Sequence, residues 1–339
     1  MPHIALLLPL KSASFGPAAE AVKQGFEAAA TLEKQGLPIR VYGYFDESKD
    51  VPALYREVIA NGARAVVGPL TRSGVSALAA EKNIPVPTLA LNVADAPPAQ
   101  NLYFFGMAAE DEARLTARLA AQRGLQKAIV ITNHSQLAQR LQFAFEAEWN
   151  TSGRRIIREI EFNDDPAPLS EISAAPDTLV FFAFDAEQAR LTRPYLPDNL
   201  AIYATSQIFV GNGDTLTNND LNGIRFVDMP WLLQTDHPAV MIYPRANPPL
   251  SADRERLYAL GIDAFRLIQL MVTNKVGGAL PLDGVTGSIQ LNGHTFQRTA
   301  IPAVFVQGHA QLPDAPVTPQ IQMFPAQFGI KPGPAASPP

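Results

Sequence analysis

An apolar run followed at once by an amphipathic helix is the feature that most constrains the fold. Ile4–Leu8 is apolar at every position, so a strand built from it has both faces buried. After a loop at residues 11–16, apolar residues recur at the three- and four-residue steps of a helix: Ala18, Val22, Phe26 and Ala29. A strand that is covered on both sides and leads into a helix is typical of the first unit of a parallel α/β sheet.

The same unit repeats along the chain. Further strands are predicted at residues 38–45, 65–67, 86–91 and 102–105, and after a helix at 110–123 the alternation continues with strands at 128–132, 155–162, 178–182 and 200–205. A long helix at 254–273 has no strand pair beside it, so we expect it to pack on the first unit. Strands at Ser288–Asn292 and Ile301–Val306 are predicted to be joined through the turn Asn292-Gly293.

Charge and composition exclude several kinds of partner and site. The net charge of -5 and the absence of any basic run longer than Arg154-Arg155 predict no nucleic-acid partner. The chain has no cysteine, which excludes disulfides and thiolate chemistry, and its apolar runs are far shorter than the roughly 20 residues that cross a bilayer. The short start before Ile4 shows no leader pattern, which predicts either a cytoplasmic protein or the loss of an upstream targeting sequence.

The common catalytic and metal-binding motifs are missing from the sequence. There is no Gly-x-Ser-x-Gly, phosphate-loop or dinucleotide-binding motif, and the histidines lack the short spacing of metal ligands. The oxygen-rich loop at residues 211–220 lacks the acidic spacing of a calcium loop. We therefore predict no catalytic residues, no metal and no cofactor.

Polar residues cluster at the predicted strand ends, where small molecules bind in sheets of this kind. On the first unit these are Ser12, Ser14, Thr71, Arg72, Ser73 and Asn92, and on the second Asn133, His134, Asp185, Ser206 and Gln207. If the two units face each other, the residues form a ring suited to a small polar ligand. The alternative is that the Ser, Thr, Asn and Asp side chains cap the following helices, and the two roles can coexist.

Several segments together resemble a known family. Two α/β lobes and the late segment Gly284–Leu291 resemble type I periplasmic binding proteins. The segments Ile4–Leu10, Val67–Leu70, Ala204–Gln207, Arg256–Ala264 and, most specifically, Asp220–Trp231 are similar to the LppC/LpoA lipoproteins. The resemblance implies a two-lobed fold, each lobe a parallel sheet flanked by helices, with several crossovers. The lobes are then residues 1–105 plus 238–290 and residues 106–237 plus 291–312, followed by a Pro-rich tail at 313–339.

The resemblance also implies a function and a location. Members of the family are lipoproteins on the periplasmic face of the outer membrane that activate a class A penicillin-binding protein, a peptidoglycan synthase. In the family the two-lobed part follows an N-terminal helical-repeat domain and a lipidated cysteine, so membrane attachment is expected only through an anchor outside this chain. The expected function is therefore a non-enzymatic regulator of peptidoglycan synthesis.

Two other functions remain open at this point. The polar strand ends favour a periplasmic receptor for an amino acid or small peptide, and Asp185 with Asp228 would be the acid and base of an enzyme if they met across the cleft. Three residues near the predicted crossover, Asp228, Pro230 and Trp231, are candidates for the hinge. Trp231 is expected to pack across that hinge rather than present an aromatic anchor to a partner.

Overall fold

The strand and helix units build two sheets in a computed structural model that describes residues 1–33, 36–46, 48–94, 98–151, 153–213 and 215–313. The elements up to the first crossover are β1 (His3–Leu8), α1 (Gly16–Leu32), β2 (Ile39–Gly43), α2 (Asp50–Ala60), β3 (Ala63–Val67), α3 (Arg72–Ala79), β4 (Thr88–Ala90) and β5 (Leu102–Phe105). The next are α4 (Ala109–Gln122), β6 (Lys127–Thr132), α5 (Gln136–Thr151), β7 (Arg155–Glu161), α6 (Ala167–Ser170), β8 (Thr178–Phe182), α7 (Ala186–Thr192), β9 (Ala201–Ala204), α8 (Thr215–Asn218) and β10 (Arg225–Asp228). The last are α9 (Pro230–Leu233), α10 (Pro238–Met241), α11 (Ala252–Val272), α12 (Val276–Ala279), β11 (Leu282–Asp283), β12 (Ser288–Asn292), β13 (Thr295–Thr299), β14 (Ile301–Val306) and β15 (His309–Gln311).

The first sheet has the order β11-β12-β13-β5-β4-β3-β1-β2. Strands β1 to β5 are parallel to one another, and β13 pairs parallel with β5. On its other side β13 pairs antiparallel with β12, and β12 pairs antiparallel with the edge strand β11. Strand β1 is fully buried and alternates between two cores: Ile4, Leu6 and Leu8 face one, and Ala5 and Leu7 face the other. The predicted central strand, covered on both faces, is confirmed.

The second sheet has the order β15-β14-β10-β9-β8-β6-β7. Its strands β6 to β10 are parallel, while β14 and β15 add an antiparallel edge. The described chain passes between the sheets after β5, after β10 and between β13 and β14. The predicted two-lobed α/β fold with several crossovers is confirmed.

The turn at Asn292-Gly293 joins a different pair of strands from the one predicted. Strand β12 turns back into β13, which pairs on its other side with β5 of the first sheet. Strand β14 lies in the second sheet and pairs with β10. Strand β13 was missed because Phe296 is its single buried residue. The predicted lobe boundary at residue 290 falls inside β12, and the first sheet continues to Thr299.

Helix α11 returns to the first lobe, as predicted, and packs along α1. The two helix backbones meet at glycines. A Cβ atom on Gly25 would overlap the carbonyl of Tyr258, and one on Gly261 would overlap the carbonyl of Val22. Because side chains are absent at this crossing, the helices approach more closely than ridges of larger residues would permit.

No helix in the described part of the chain is long and apolar enough to cross a membrane. Of the predicted Pro-rich tail at 313–339, only Pro313 belongs to the described residues, and residues 314–339 lie outside them.

Candidate functional site

Four predicted ligand residues meet in a depression of about 590 Å³ at the carboxyl edge of the first sheet. These are Thr71, Arg72 and Ser73 at the start of α3 and Asn92 after β4. The remaining walls are mainly apolar and include Phe15, Leu70, Leu91, Met107, Leu257 and Leu260. The depression therefore combines a helix N-terminus with an apolar floor, a composition that suits a small ligand with one polar end.

Most polar side chains at this edge already bond to nearby backbone. Thr71 Oγ1 accepts the amide of Gly74 at 3.2 Å and so caps α3. The Asn92 amide donates to the Leu70 carbonyl at 3.1 Å, and its oxygen accepts the Val93 amide. Ser12 Oγ accepts the Phe15 amide at 3.3 Å before α1, and Ser14 is exposed in the same turn. The capping role raised from the sequence is thus present at Thr71, whether or not a ligand also binds there.

The predicted residues of the second lobe also make local contacts. Asn133 Oδ1 accepts the amide of Ser135, and Asp185 caps α7 by accepting the amide of Gln188 at 3.0 Å. His134 is exposed and lies 2.6 Å from a Glu161 carboxylate oxygen. Gln207 is half-buried and follows Ser206, whose backbone amide and carbonyl both make hydrogen bonds. None of these second-lobe residues is among the described residues that line the depression of the first lobe.

An exposed ion pair joins the two lobes at the open front of the cleft. Arg72 Nη2 lies 3.1 Å from Glu110 Oε1 on α4, and Arg140 Nη1 of α5 lies 3.4 Å from the same oxygen. The side chains of Arg72 and Arg140 are about half exposed. Arg72, predicted as a ligand residue, therefore already has a carboxylate partner from the opposite lobe, in a pair that water screens.

A buried ion pair ties the lobes together on the hinge side. Arg256 on α11 binds Asp228 at the end of β10 through two hydrogen bonds, Nη2 to Oδ2 at 2.7 Å and Nε to Oδ1 at 3.2 Å. The same Nη2 donates to the carbonyls of Ser206 at 3.0 Å and Phe209 at 2.7 Å in the second lobe. Ser206, a predicted ligand residue, is 2% exposed. Its carbonyl is therefore used to hold the lobes together.

The enclosure of this pair shifts the pKa of both groups. Burial raises the pKa of Asp228 above its usual range, and the charge and hydrogen bonds of Arg256 oppose that rise. Burial would lower the pKa of Arg256, yet the Asp228 carboxylate together with the charges of Glu112 and Asp253 outweighs it, and the pKa is raised. A bidentate guanidinium is the partner that best satisfies a carboxylate in such surroundings.

A second buried pair lies beside the first. Glu112 of α4 bonds to Arg298 of β13 at 2.6 Å, and its other oxygen accepts the Ser206 amide at 3.1 Å. Arg298 also donates to the carbonyl of Thr286 at 3.3 Å. Both charged side chains are less than a tenth exposed. Helix α4, which carries Glu112, packs on the second sheet, whereas β13, which carries Arg298, belongs to the first sheet. The pair is therefore a further link between the lobes.

The Gly284–Gly287 turn is held from within the first lobe. Asp263 on α11 is fully buried and accepts the Thr286 amide at 2.8 Å, the Thr286 hydroxyl at 2.7 Å and the Val285 amide at 3.2 Å. Burial raises the pKa of Asp263, while Arg266 and these donors oppose the rise. This turn thus has a structural role: it anchors β11, the strand that follows α12, to the long helix α11.

Trp231, expected to pack across the hinge, packs within the core of the first lobe. Its indole is fully buried, stacks on Tyr258 with a centroid distance of 5.4 Å and donates its N–H to Glu255. The Arg245 guanidinium lies 3.7 Å from the ring centroid and donates to the Trp231 carbonyl. Pro230 occupies the first turn of α9 and is also buried. This aromatic side chain is therefore committed to the first core.

The sequence patterns did not predict four buried charged residues near the hinge: Glu112, Arg256, Asp263 and Arg298. One local signal was present. Arg256 and Asp263 are seven residues apart and so fall on the same side of α11 as the apolar residues around them. Charges within an apolar stripe indicate buried partners, whereas Glu112 and Arg298 have no comparable signal.

The carboxylates considered for an enzyme serve other roles. Asp185 is exposed and caps α7, while Asp228 is fully buried and bound by Arg256. A general base must reach the proton that it removes, and Asp228 is enclosed by protein. In the described residues no group of three or more His, Asp or Glu side chains is arranged to hold a metal ion.

The comparisons with known proteins point to one family. The model of the family described as "LppC putative lipoprotein" matches residues 1–175 and 171–300. The penicillin-binding protein activator LpoA of Photobacterium profundum is 26% identical over 89% of this chain and 56% of its own length, and that of Haemophilus ducreyi is 27% identical over 85% and 50%. The chain thus spans about half the length of the curated relatives it matches.

Solved structures give the same fold. Full-length LpoA from Haemophilus influenzae has a TM-score of 0.78 at 23% identity, covering 91% of this chain and 58% of that one. A structure from Chromobacterium violaceum described as "a putative branched-chain amino acid ABC transporter" has a TM-score of 0.77 at 36% identity and covers 90% of this chain and 100% of that one. The family model matches well over half of the chain, and the chain belongs to the LppC lipoprotein family.

Proposed function

We propose that this chain is the two-lobed part of a regulator of peptidoglycan synthesis, which activates a class A penicillin-binding protein and catalyses no reaction itself. The observation that carries the proposal is the family match across both lobes, together with curated relatives that are named penicillin-binding protein activators. The proposed location is the periplasmic face of the outer membrane, with the lipid anchor supplied outside this chain.

The geometry of the hinge supports a scaffold role. The lobes are joined by buried charges, Trp231 is packed inside, and several strand-end side chains cap helices or bond to backbone. Such an arrangement fixes the shape of two surfaces relative to each other, as a protein that binds another protein requires.

The test is a binding and activity assay with purified class A penicillin-binding proteins. We expect the chain to be retained by an immobilised synthase and, in its full-length form, to increase glycan polymerisation or cross-linking. Arg254→Ala, an exposed change on α11 that leaves the buried Arg256–Asp228 pair intact, is the folded control and should bind normally unless that face meets the synthase. Absence of both binding and stimulation for the full-length protein would contradict the proposal.

A second candidate is a receptor for a small solute. It is favoured by the depression at Thr71–Ser73 and by the 36% identity to the structure from Chromobacterium violaceum. A ligand that binds only the native state raises the melting temperature by mass action. A screen of amino acids, short peptides and peptidoglycan fragments tests this, with Thr71→Val as the variant that should lose the shift and Thr31→Val, in an exposed part of α1, as the control. No shift with any compound argues against a receptor.

A further inference from the structure

A separate cavity of about 180 Å³ lies in the second lobe, between α4 and strands β9, β10 and β14. Its apolar walls include Leu119 of α4, Val227 of β10 and Pro302 of β14. Helices α4 and α5 cover one core of this sheet, while Val227 belongs to a small cluster with Leu115 and Ala300. The cavity thus lies beside α4, over the strands β10 and β14 of the second sheet that α5 does not cover.

Two arginines contribute to the lining of this cavity. Arg123 follows the last turn of α4, and Arg225 begins β10. Within the described residues neither guanidinium has a carboxylate within 4.0 Å, in contrast to Arg72, which has Glu110 as its partner in the interlobe cleft. The cavity therefore combines apolar walls with positive charge that lacks a counter-ion from the described protein.

A buried phenol lies on the same cavity. Tyr203 is 5% exposed and lines it, and its hydroxyl has no hydrogen-bond partner among the residues described. Burial raises the pKa of Tyr203, and the charges of Arg225 and Arg123 oppose that rise, which places both arginines in the electrostatic surroundings of the phenol. A neutral phenol is a hydrogen-bond donor. The Tyr203 hydroxyl does not belong to the buried, unpartnered side-chain atoms of the described residues, so its oxygen is accessible to water in the cavity, where a ligand oxygen can take the place of that water.

We propose that this cavity binds a small carboxylic acid, with the apolar body between Leu119, Val227 and Pro302 and the carboxylate beside Arg123, Arg225 and Tyr203. The size fits such a ligand, since an apolar cavity of about 150 Å³ accepts benzene. Guanidinium groups favour planar carboxylates through paired hydrogen bonds. The site is distinct from the interlobe cleft and does not depend on the proposed synthase partner.

Phenylacetate is a suitable probe, and its neutral amide is the matched control ligand. We expect phenylacetate to bind the whole chain saturably in isothermal titration, with a dissociation constant of about 1 mM or lower, and to shift backbone amide signals around Tyr203 and Val227 in two-dimensional NMR. Phenylacetamide should bind at least about tenfold more weakly, because the charge interaction is lost.

Three variants separate charge, volume and fold. Arg123→Gln with Arg225→Gln should weaken phenylacetate binding about tenfold or more, and Leu119→Phe should abolish it by filling the cavity while leaving both charges. Arg114→Gln on the same helix, away from the cavity, should bind normally, and melting temperatures show that each variant is folded. The proposal is overturned if no saturable binding of phenylacetate occurs below about 10 mM, or if phenylacetamide binds as tightly as phenylacetate. It is also overturned if the double arginine variant binds phenylacetate unchanged. NMR signals that move at Thr71 and Asn92 instead of Tyr203 and Val227 would place the ligand in the other site and would likewise overturn the proposal.

Discussion

The hinge side and the open front of the cleft join the same two lobes with the same kinds of side chain, yet in opposite surroundings. On the hinge side Arg256 and Asp228 are 8% and 0% exposed, whereas at the front Arg72 is 51% exposed beside Glu110. A buried pair leaves an uncompensated charge when it is broken, while an exposed pair is replaced by water. The difference shows that an ion pair between the lobes holds their relative position only when it is buried, and not merely because opposite charges lie close together.

The largest effect is expected from Arg256→Ala. Removing the guanidinium leaves Asp228 and the carbonyls of Ser206 and Phe209 without their donor, so we expect the free energy of unfolding to fall by about 3–5 kcal/mol. Urea denaturation followed by circular dichroism measures the loss. Arg254→Ala, an exposed neighbour on α11, is the control and should change little. A loss below about 1 kcal/mol for Arg256→Ala would remove the contrast between the two regions.

The pH dependence of the same variant sharpens this expectation. Burial raises the pKa of Asp228, and without Arg256 nothing comparable opposes it. A carboxyl group whose pKa is higher in the folded state stabilises the fold below its unfolded pKa, and that contribution is lost as the pH rises through the folded pKa. The defect of Arg256→Ala should therefore be smaller at pH 5 than at pH 8, and an equal defect at both would contradict the assignment.

A smaller loss is expected when the second buried pair is broken. In Arg298→Met the carboxylate of Glu112 loses its cationic partner but keeps the Ser206 amide, so we expect a decrease of about 2–3 kcal/mol in the free energy of unfolding. Gln297→Met, at the adjacent exposed position of β13, is the matched control. Equal values for the two variants in urea titrations would show that the Glu112 pair contributes nothing particular.

Trp231→Phe tests the aromatic part of the hinge. Phenylalanine retains stacking on Tyr258 but cannot donate to Glu255, so the expected loss is about 1–2 kcal/mol. Thermal unfolding monitored by circular dichroism checks it. An unchanged melting temperature would mean that the Glu255 contact is replaced by water at no cost.

The smallest effect is expected at the front. Arg72→Ala removes an exposed pair and should lower the free energy of unfolding by less than about 1 kcal/mol. Because the buried pairs of Arg256 and Arg298 remain intact, the radius of gyration measured by small-angle scattering should be unchanged. If Arg72→Ala destabilises the protein as strongly as Arg256→Ala, enclosure is not what distinguishes the two regions.

The fold could be predicted largely from local patterns. The apolar run at Ile4–Leu8 and the helical spacing of Leu257, Leu260 and Ala264 specify burial directly, so strand β1 and the return of α11 were predicted correctly. The packing of Trp231 followed from its size and apolar character. Short-range chemistry also predicted the caps at Thr71 and Asp185, since these residue types bond to nearby amides in turns.

The features that the sequence did not predict, strand β13 and the buried ion pairs, depend on contacts between residues far apart in the chain. Strand β13 has one buried residue, so its place between β12 and β5 follows from hydrogen bonding in the sheet rather than from its own sequence. Arg256 and Glu112 belong to residue types that are usually exposed, and their burial depends on Asp228 and Arg298 far along the chain. Ser206 was predicted to line the cleft because it follows a strand, and the sequence alone does not show that Arg256 reaches its carbonyl.

The glycine crossing between α1 and α11 has a consequence for synthesis of the chain. Gly25 is synthesised well before Gly261, because the Gly261 backbone that covers it is made only after the whole of the second sheet except its antiparallel edge. At roughly 5–20 residues per second, α1 waits on the order of ten seconds or more with its apolar face uncovered. In a nascent chain the apolar face of α1 therefore stays exposed until the long helix α11 has been made.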